Sequence, residues 1–315
     1  MNPEPASGGR NPSKSAAISA DLMTIWKDYY RARSITDALQ ALASAQGPAR
    51  IMAGGTDLLL DLQQERIAPL DRLVDISSIP ELQRLELRTN MLYIGAAVPL
   101  SQVVAHPLVR EHAQALVEAG SLIGGPQVRN QATLGGNVAH ALPAADGSIA
   151  LLAHGAQAEI ASLDGTRLVP IQAVYAGPGR TALRGGLDLL VGFVLPLLGR
   201  WEGAAFRRVM RPQGVALPVL NLAAWVCRDG EQVKDVRIAM GPAGPVPFRA
   251  LETESLLRGK SFDPLLLNQA IDCLQSEAGL RTSRHRATRD YRTHLVAVLL
   301  SDVLTTAWER AAQSR

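Results

Sequence analysis

The chain has 315 residues, of which 47% are hydrophobic and only 4% are aromatic, and its formal net charge is +3. Two or three domains are expected from this length. Its apolar runs are short or broken by glycine, proline or charge, which excludes a membrane-spanning helix, and two cysteines exclude a disulfide framework. Basic residues without interleaved aromatics argue against nucleic acid and favour an acidic partner subunit. We expect a protein of the reducing cytoplasm.

The first half of the chain alternates predicted helices and strands. Residues 1–21 are rich in Pro, Ser, Gly, Asn and Ala without an apolar run, which predicts a disordered leader and neither a signal peptide nor an anchor. Apolar residues at helical spacing predict a helix from Ser34 to Ala45, with Ser34 as its N-cap. Further strands are predicted at 50–52, 73–76 and 92–94, and further helices at 99–105 and 112–123.

The second half shows two hairpin signals, Asp164-Gly165 and Asp229-Gly230. The strands predicted at 156–162 and 167–169 are joined by Asp164-Gly165, a dipeptide typical of hairpin turns. Residues 177–186 form a linking stretch rich in glycine and arginine, and a strand at 187–195 leads to a domain boundary at 198–203. Beyond it, strands at 203–209, 219–228 and 234–240 predict a three-stranded antiparallel sheet, and helices at 263–278 and 294–310 close the chain.

Two glycine-rich stretches about eighty positions apart are the most informative feature of the sequence. They are Ala53-Gly54-Gly55-Thr56-Asp57-Leu58 and Thr133-Leu134-Gly135-Gly136-Asn137. Consecutive backbone amides in such loops form a positive nest, and glycine allows the close approach that a phosphate needs. Two nests can hold a pyrophosphate. Neither G-x-G-x-x-G nor a P-loop is present. The first loop joins a strand either to a helix or to another strand. Either glycine pair alone is compatible with a plain tight turn.

The second loop lies in a run of more than twenty small and polar residues that continues to Pro143-Ala144-Ala145-Asp146. Such a run is typical of a ligand-lined surface, because a core needs larger side chains. Asp146 is placed to accept hydrogen bonds from ligand hydroxyls such as those of a ribityl chain. It could equally cap a helix that begins near Ser148, and the two roles are compatible.

The usual catalytic constellations are missing from the sequence. The six histidines show no metal-ligand spacing, Cys227 and Cys273 are far apart, and no G-x-S-x-G occurs. We therefore predict no metal site and no catalytic residue. Chemistry must come from a bound cofactor.

In their order and spacing, A-G-G-T-D-L, T-L-G-G-N and P-A-A-D resemble the FAD-binding medium subunit of the molybdenum hydroxylases, a family that includes carbon monoxide dehydrogenase and xanthine dehydrogenase. Ile94-Gly95-Ala96-Ala97 and Asp290-Tyr291-Arg292-x-His294-Leu295 also follow the family's order, and the likeness runs from about Met23 to Leu304. The resemblance implies an α+β protein: a two-lobed FAD-binding fold of the vanillyl-alcohol oxidase type at 22–199, with lobes at about 22–80 and 81–199, and a smaller α+β domain at 200–315.

The resemblance also implies which residues contact FAD. The amides of Gly54 to Asp57 would lie nearest the phosphates, and Ile123 would pack against the flavin nucleotide. Arg207 is a weaker match, because xanthine dehydrogenase relatives carry a lysine there and its hydrogen-bonding geometry differs. Tyr291 would lie towards the flavin or pack a helix. The implied contacts are Ile51, Met52, Ala53, Gly54, Gly55, Thr56, Asp57, Leu58, Ile123, Thr133, Leu134, Gly135, Gly136, Asn137, Asp146, Leu190 and Arg207.

The implied function is electron transfer within a complex. The partners would be a small subunit with two [2Fe–2S] clusters and a large molybdopterin subunit, assembled as a dimer of heterotrimers, and the electron acceptor would be NAD⁺, oxygen or a quinone-linked carrier. Some relatives insert a cluster bound by four cysteines, which two cysteines cannot bind. Two other hypotheses stay open: a self-contained FAD-dependent reductase or oxidase of the same fold, and a flavin-free assembly subunit.

Overall fold

The computed structural model describes residues 25–211, 217–284 and 286–313, so the leader predicted for residues 1–21 lies outside the described residues. The strands are β1 (Trp26–Arg31), β2 (Ala49–Met52), β3 (Leu70–Asp75), β4 (Leu85–Arg88), β5 (Met91–Gly95), β6 (Gln157–Ser162), β7 (Gly165–Pro170), β8 (Tyr175–Gly177), β9 (Arg180–Thr181), β10 (Leu189–Pro196), β11 (Glu202–Met210), β12 (Pro218–Asp229), β13 (Gln232–Gly241) and β14 (Phe248–Arg249). The helices are α1 (Ile35–Ala43), α2 (Leu58–Gln63), α3 (Leu100–Ala105), α4 (Pro107–His112), α5 (Gln114–Leu122), α6 (Pro126–Arg129), α7 (Leu134–Ala139), α8 (Asp146–His154), α9 (Leu251–Leu257), α10 (Pro264–Glu277) and α11 (Arg289–Gln313).

The first lobe is built on a small parallel sheet of order β1-β3-β2. Parallel pairing requires crossover connections, which α1 and α2 provide. Ser34 caps α1 as predicted, because its side-chain oxygen accepts a hydrogen bond from the Asp37 N–H at 3.1 Å. Leu39 of α1 packs into a core with Val74 of β3. This order leaves β2 at the sheet edge, where its outer backbone groups have no strand partner among the described residues.

The second lobe is an antiparallel sheet of order β4-β5-β10-β6-β7. Its β6–β7 hairpin is present as predicted, but the turn residues are Leu163 and Asp164, because Gly165 already pairs with Ser162 as the first residue of β7. Helices α3, α5, α7 and α8 supply side chains such as Leu116 and Ile149 to a core that includes Phe193 of β10. Every residue of α8 is buried, because the helix packs against this lobe and also against β12 and β13 of the C-terminal domain.

The helix predicted at 112–123 is present as α5, but it begins at Gln114, and the preceding helix α4 was not predicted. Ala113 has φ −140° and ψ 53°, which are not helical values, and it separates α4 from α5. The Ala113 side chain is fully buried. Tertiary packing therefore fixes the break, and no local residue pattern marks it.

The C-terminal domain is an antiparallel sheet of order β11-β12-β13-β14 covered by helices. The three predicted strands are present, but the two-residue strand β14 adds a fourth, so the prediction of three strands was one short. Helices α10 and α11 match the predicted closing helices, and α9 was not predicted. α11 packs Leu299 and Val303 against the sheet. Among the described helices, none is long and apolar enough to cross a membrane.

Candidate functional site

A cavity of about 700 Å³ opens where the two lobes meet the start of the C-terminal sheet. This volume is within the range of about 300–1,000 Å³ that is typical of ligand sites. Both glycine loops line it, together with parts of the stretch 179–188. Its lining includes Arg50, Ile51, Met52, Ala53, Gly54, Gly55, Thr56, Asp57, Leu58, Ile123, Thr133, Gly136, Asn137, His140, Asp146, Gly179, Thr181, Arg184, Gly185, Gly186, Asp188, Arg208, Leu217 and Pro218.

The first loop joins strand β2 to helix α2 and presents unpaired amides to the cavity. Gly55 has φ +71°, a left-handed conformation that favours glycine. The backbone N–H groups of Gly54, Gly55, Thr56 and Asp57 donate no hydrogen bond to any described residue. Four consecutive free donors beside a cavity are the arrangement that binds phosphate oxygens. This loop therefore fits one side of a dinucleotide pyrophosphate.

Two of the glycines are required for contact between backbones. A Cβ atom on Gly54 would lie 1.9 Å from the carbonyl oxygen of Gln131, and one on Gly135 would lie 2.5 Å from that of Ala96. The Gly135 N–H also donates to Ala96 O at 3.0 Å. Gly54 thus lets the first loop pack directly on the segment before the second loop.

The second loop forms the start of α7. The Thr133 side chain caps this helix by accepting a hydrogen bond from the Gly136 N–H at 3.0 Å. Thr133, Gly136 and Asn137 line the cavity. Leu134 and Gly135 do not, because both are buried in the interior of the second lobe.

Asp146 joins the two domains at the cavity. Its carboxylate accepts hydrogen bonds from Arg208 Nη1 and, at 2.6 Å, from Asn221 Nδ2, and the residue is 4% exposed. Burial raises the pKa of the Asp146 carboxyl, and the Arg208 guanidinium opposes that shift. The prediction that Asp146 caps a helix is wrong: α8 begins at Asp146 itself, Ala145 is the N-cap, and no side chain caps this end.

Arg207 and Arg208 face opposite sides of β11, because successive side chains of a strand alternate. Arg207 Nε donates to Asp302 Oδ2 at 3.0 Å and Arg207 Nη1 donates to Glu118 Oε1 at 3.2 Å, away from the cavity. Arg208 lines the cavity and is paired with Asp146. The structure therefore places Arg208 at the site where the sequence indicated Arg207.

Two other sequence-predicted positions do not reach the cavity. Leu190 of β10 is 5% exposed and packs into the core of the second lobe. Tyr291 near the start of α11 is 47% exposed, which is neither a cavity position nor a buried packing position.

Three parts of the site were not predicted from the sequence: Arg208, Asn221 and the stretch ending at Asp188. Asn221 is fully buried and is paired with Arg208 in the β11–β12 register. Its contact with Asp146 spans 75 positions and has no local signal. The glycine and arginine content of residues 177–186 was a usable signal for the third segment. Within the part of the chain that the structure describes, no group of three or more His, Cys, Asp or Glu residues could hold a metal ion.

Comparison with known families identifies the kind of protein. The chain matches the FAD binding domain in molybdopterin dehydrogenase over residues 22–198 and the CO dehydrogenase flavoprotein C-terminal domain over residues 204–307. It belongs to the FAD-binding medium subunits of the molybdenum hydroxylases. The resemblance, the α+β fold, the FAD cofactor and the oxidoreductase class predicted from the sequence are confirmed.

The matches to named relatives cover most of this chain and nearly all of each relative. The chain is 31% identical to the xanthine dehydrogenase FAD-binding subunit of Escherichia coli O157:H7, covering 89% of this chain and 95% of the relative. It is 28% identical to the carbon monoxide dehydrogenase medium chain of Hydrogenophaga pseudoflava, covering 90% and 98%. The solved carbon monoxide dehydrogenase of that organism superposes with a TM-score of 0.85 at 27% identity over 90% and 97%. Quinoline 2-oxidoreductase of Pseudomonas putida 86 gives 0.82 at 27% identity over 90% and 97%.

Proposed function

We propose that this medium subunit passes electrons from the [2Fe–2S] clusters of a small partner subunit to an external acceptor, within a cytoplasmic complex that also contains a large molybdopterin subunit. The acceptor would be NAD⁺, oxygen or a quinone-linked carrier, and the complex a dimer of heterotrimers. When bound, FAD supplies an electron carrier that can link single-electron clusters to a two-electron acceptor. The observation that carries the proposal is the run of four unpaired amides at the cavity.

The chain's own residues would bind and orient FAD. The amides from Gly54 to Asp57 would donate to the pyrophosphate on one side, and the segment from Thr133 to Asn137 would enclose it on the other. Ile123 would pack against the flavin nucleotide. Asp146, held by Arg208 and Asn221, would fix the cavity wall where the two domains meet. Among the described residues, no group of side chains could hold a metal ion that would activate an organic substrate.

The test compares the isolated chain with the reconstituted complex. We expect the isolated chain to bind one FAD and to oxidise no organic substrate, whereas addition of the iron–sulfur and molybdenum subunits restores oxidation linked to the acceptor. Steady-state assays of both preparations measure this difference. Turnover of an organic substrate by the single chain would support the self-contained reductase or oxidase, and purified chain without FAD affinity would support the assembly subunit.

A matched pair of variants connects the site to this activity. Asp146→Ala removes the partner of buried Arg208, so we expect weaker FAD binding and slower electron transfer to the acceptor, with the molybdenum half-reaction unchanged. Asp302→Ala removes a partner of Arg207 outside the cavity and is the control. FAD affinity and acceptor reduction are measured for both. Equal effects of the two substitutions would contradict the proposed role of Asp146.

A further inference from the structure

A buried carboxylate stabilises the third segment that lines the cavity. The Asp188 side chain has no solvent exposure. It accepts hydrogen bonds from the Arg184 N–H at 2.9 Å, from Arg184 Nη2 at 2.8 Å and from Arg167 Nη2 at 2.7 Å. The Asp188 N–H in turn donates to Arg184 O at 3.0 Å. Asp188 therefore closes the turn that begins at Arg184 and connects it to strand β7.

The turn held by Asp188 is open on one side. A Cβ atom built on Gly185 or Gly186 meets no atom within 4 Å. Both glycines line the main cavity and also a second cavity of about 320 Å³. Space next to these two residues is thus available to a ligand.

The second cavity also has lining groups that suit a purine. Its other residues are Leu42 and the segment 47–50, which leads into the edge strand β2. An edge strand presents unpaired backbone donors and acceptors, which can bind the polar edge of a base. The Arg50 side chain forms no ion pair or hydrogen bond with any described residue, and a free guanidinium can stack on an aromatic ring.

The main cavity has apolar lining residues that the second cavity lacks. Ile123, Leu142 and Leu217 line the main cavity but not the second one. These apolar side chains suit the dimethylbenzene part of an isoalloxazine ring. The two halves of FAD are therefore matched by different parts of the lining.

We propose that Asp188 is a positioning residue, which holds Gly185 and Gly186 as the wall against which the adenosine half of FAD lies. The inference rests on the proposed FAD function. It adds that binding of the adenosine half and binding of the flavin half depend on different residues of this chain.

The test uses FAD and ADP as probes of the apo full-length chain, by isothermal titration. Asp188→Asn keeps the side-chain volume but weakens the hydrogen bonds to the turn, so FAD and ADP affinity should both fall by roughly tenfold or more. Ile123→Ala should weaken FAD and leave ADP unchanged. Asp235 lies on β13, outside the cavity, and forms an ion pair with Arg258. The control Asp235→Asn should therefore leave both affinities unchanged.

Gly185→Leu keeps the inference testable if Asp188→Asn does not fold. Its Cβ atom enters open space, so the chain should fold, as judged by circular dichroism, while FAD and ADP affinity fall together. Unchanged ADP affinity in the folded Asp188 or Gly185 variants would overturn the inference, as would a wild-type chain that binds FAD but not ADP. A wild-type chain that does not bind FAD would instead contradict the proposed function.

Discussion

At the scale of single residues, the glycines of the two loops have different roles. Gly136 lines the cavity, and a Cβ atom there meets only Thr133 Oγ1, at 3.3 Å. Gly54 lies against the carbonyl oxygen of Gln131, where a Cβ atom does not fit. The lack of a side chain at Gly136 therefore keeps the cavity open, whereas the lack of one at Gly54 lets the two loops pack together.

These roles predict different outcomes for the same substitution. We expect Gly136→Val to fold with a small loss of stability and to lose FAD affinity, because its side chain occupies ligand space. Gly54→Val should lose FAD affinity and also several kcal/mol of stability, because the two loops must separate, as in overpacking by a bulky side chain. Urea unfolding and FAD titration measure both properties. A fully stable Gly54→Val chain would contradict the packing role.

At the scale of secondary-structure elements, the C-terminal domain is connected to the FAD-binding domain by Glu118 of α5. Its carboxylate accepts hydrogen bonds from the Phe206 N–H at 2.7 Å, from Arg207 Nη1 at 3.2 Å and from Arg310 Nη2 at 2.6 Å. Three elements, α5, β11 and α11, thus converge on one carboxylate. The Glu118 side chain is 24% exposed, so solvent screens these interactions only in part.

We expect Glu118→Gln to lower the free energy of unfolding by about 1–3 kcal/mol, since charge-assisted hydrogen bonds are lost in a partly buried site. Glu231→Gln is a suitable control, because its ion pair with Arg228 involves a carboxylate that is 80% exposed, and such pairs contribute about 0–1 kcal/mol. Urea unfolding of both variants gives the comparison. Equal losses would show that Glu118 contributes no more than a surface charge.

Elements with local signals could be predicted from the sequence, and contacts between distant elements could not. The Ser34 cap and the β6–β7 hairpin were predicted because capping and turn chemistry are local. The break at Ala113 depends on packing. Arg207 and Arg208 are neighbours, but successive side chains of a strand lie on opposite faces. The sequence alone does not determine which of the two faces the cavity. Both glycine loops line the cavity, whereas the reason for Gly54 became visible only in the contact with Gln131.

At the scale of the whole molecule, α8 lies in the interior shared by both domains, and its last residue, His154, is 2% exposed. Burial, with a further contribution from the nearby Arg237 charge, lowers the pKa of His154 to about 3 from an ordinary value of 6.5. The folded chain therefore keeps this imidazole neutral at pH values where the unfolded chain protonates it. Below pH 6.5 the unfolded state binds more protons at this position, so stability falls as the pH falls.

We expect this single histidine to cost about 2 kcal/mol of stability between pH 7 and pH 5, in addition to any change from other groups. The loss begins near pH 6.5 and continues down to about pH 3, where the folded chain also takes up the proton. His154→Gln removes the titrating group, so urea unfolding of the variant should depend less on pH by about that amount over the same interval. A stability difference between wild type and His154→Gln that stays constant from pH 7 to pH 5 would show that His154 does not make the interior shared by the two domains sensitive to acid.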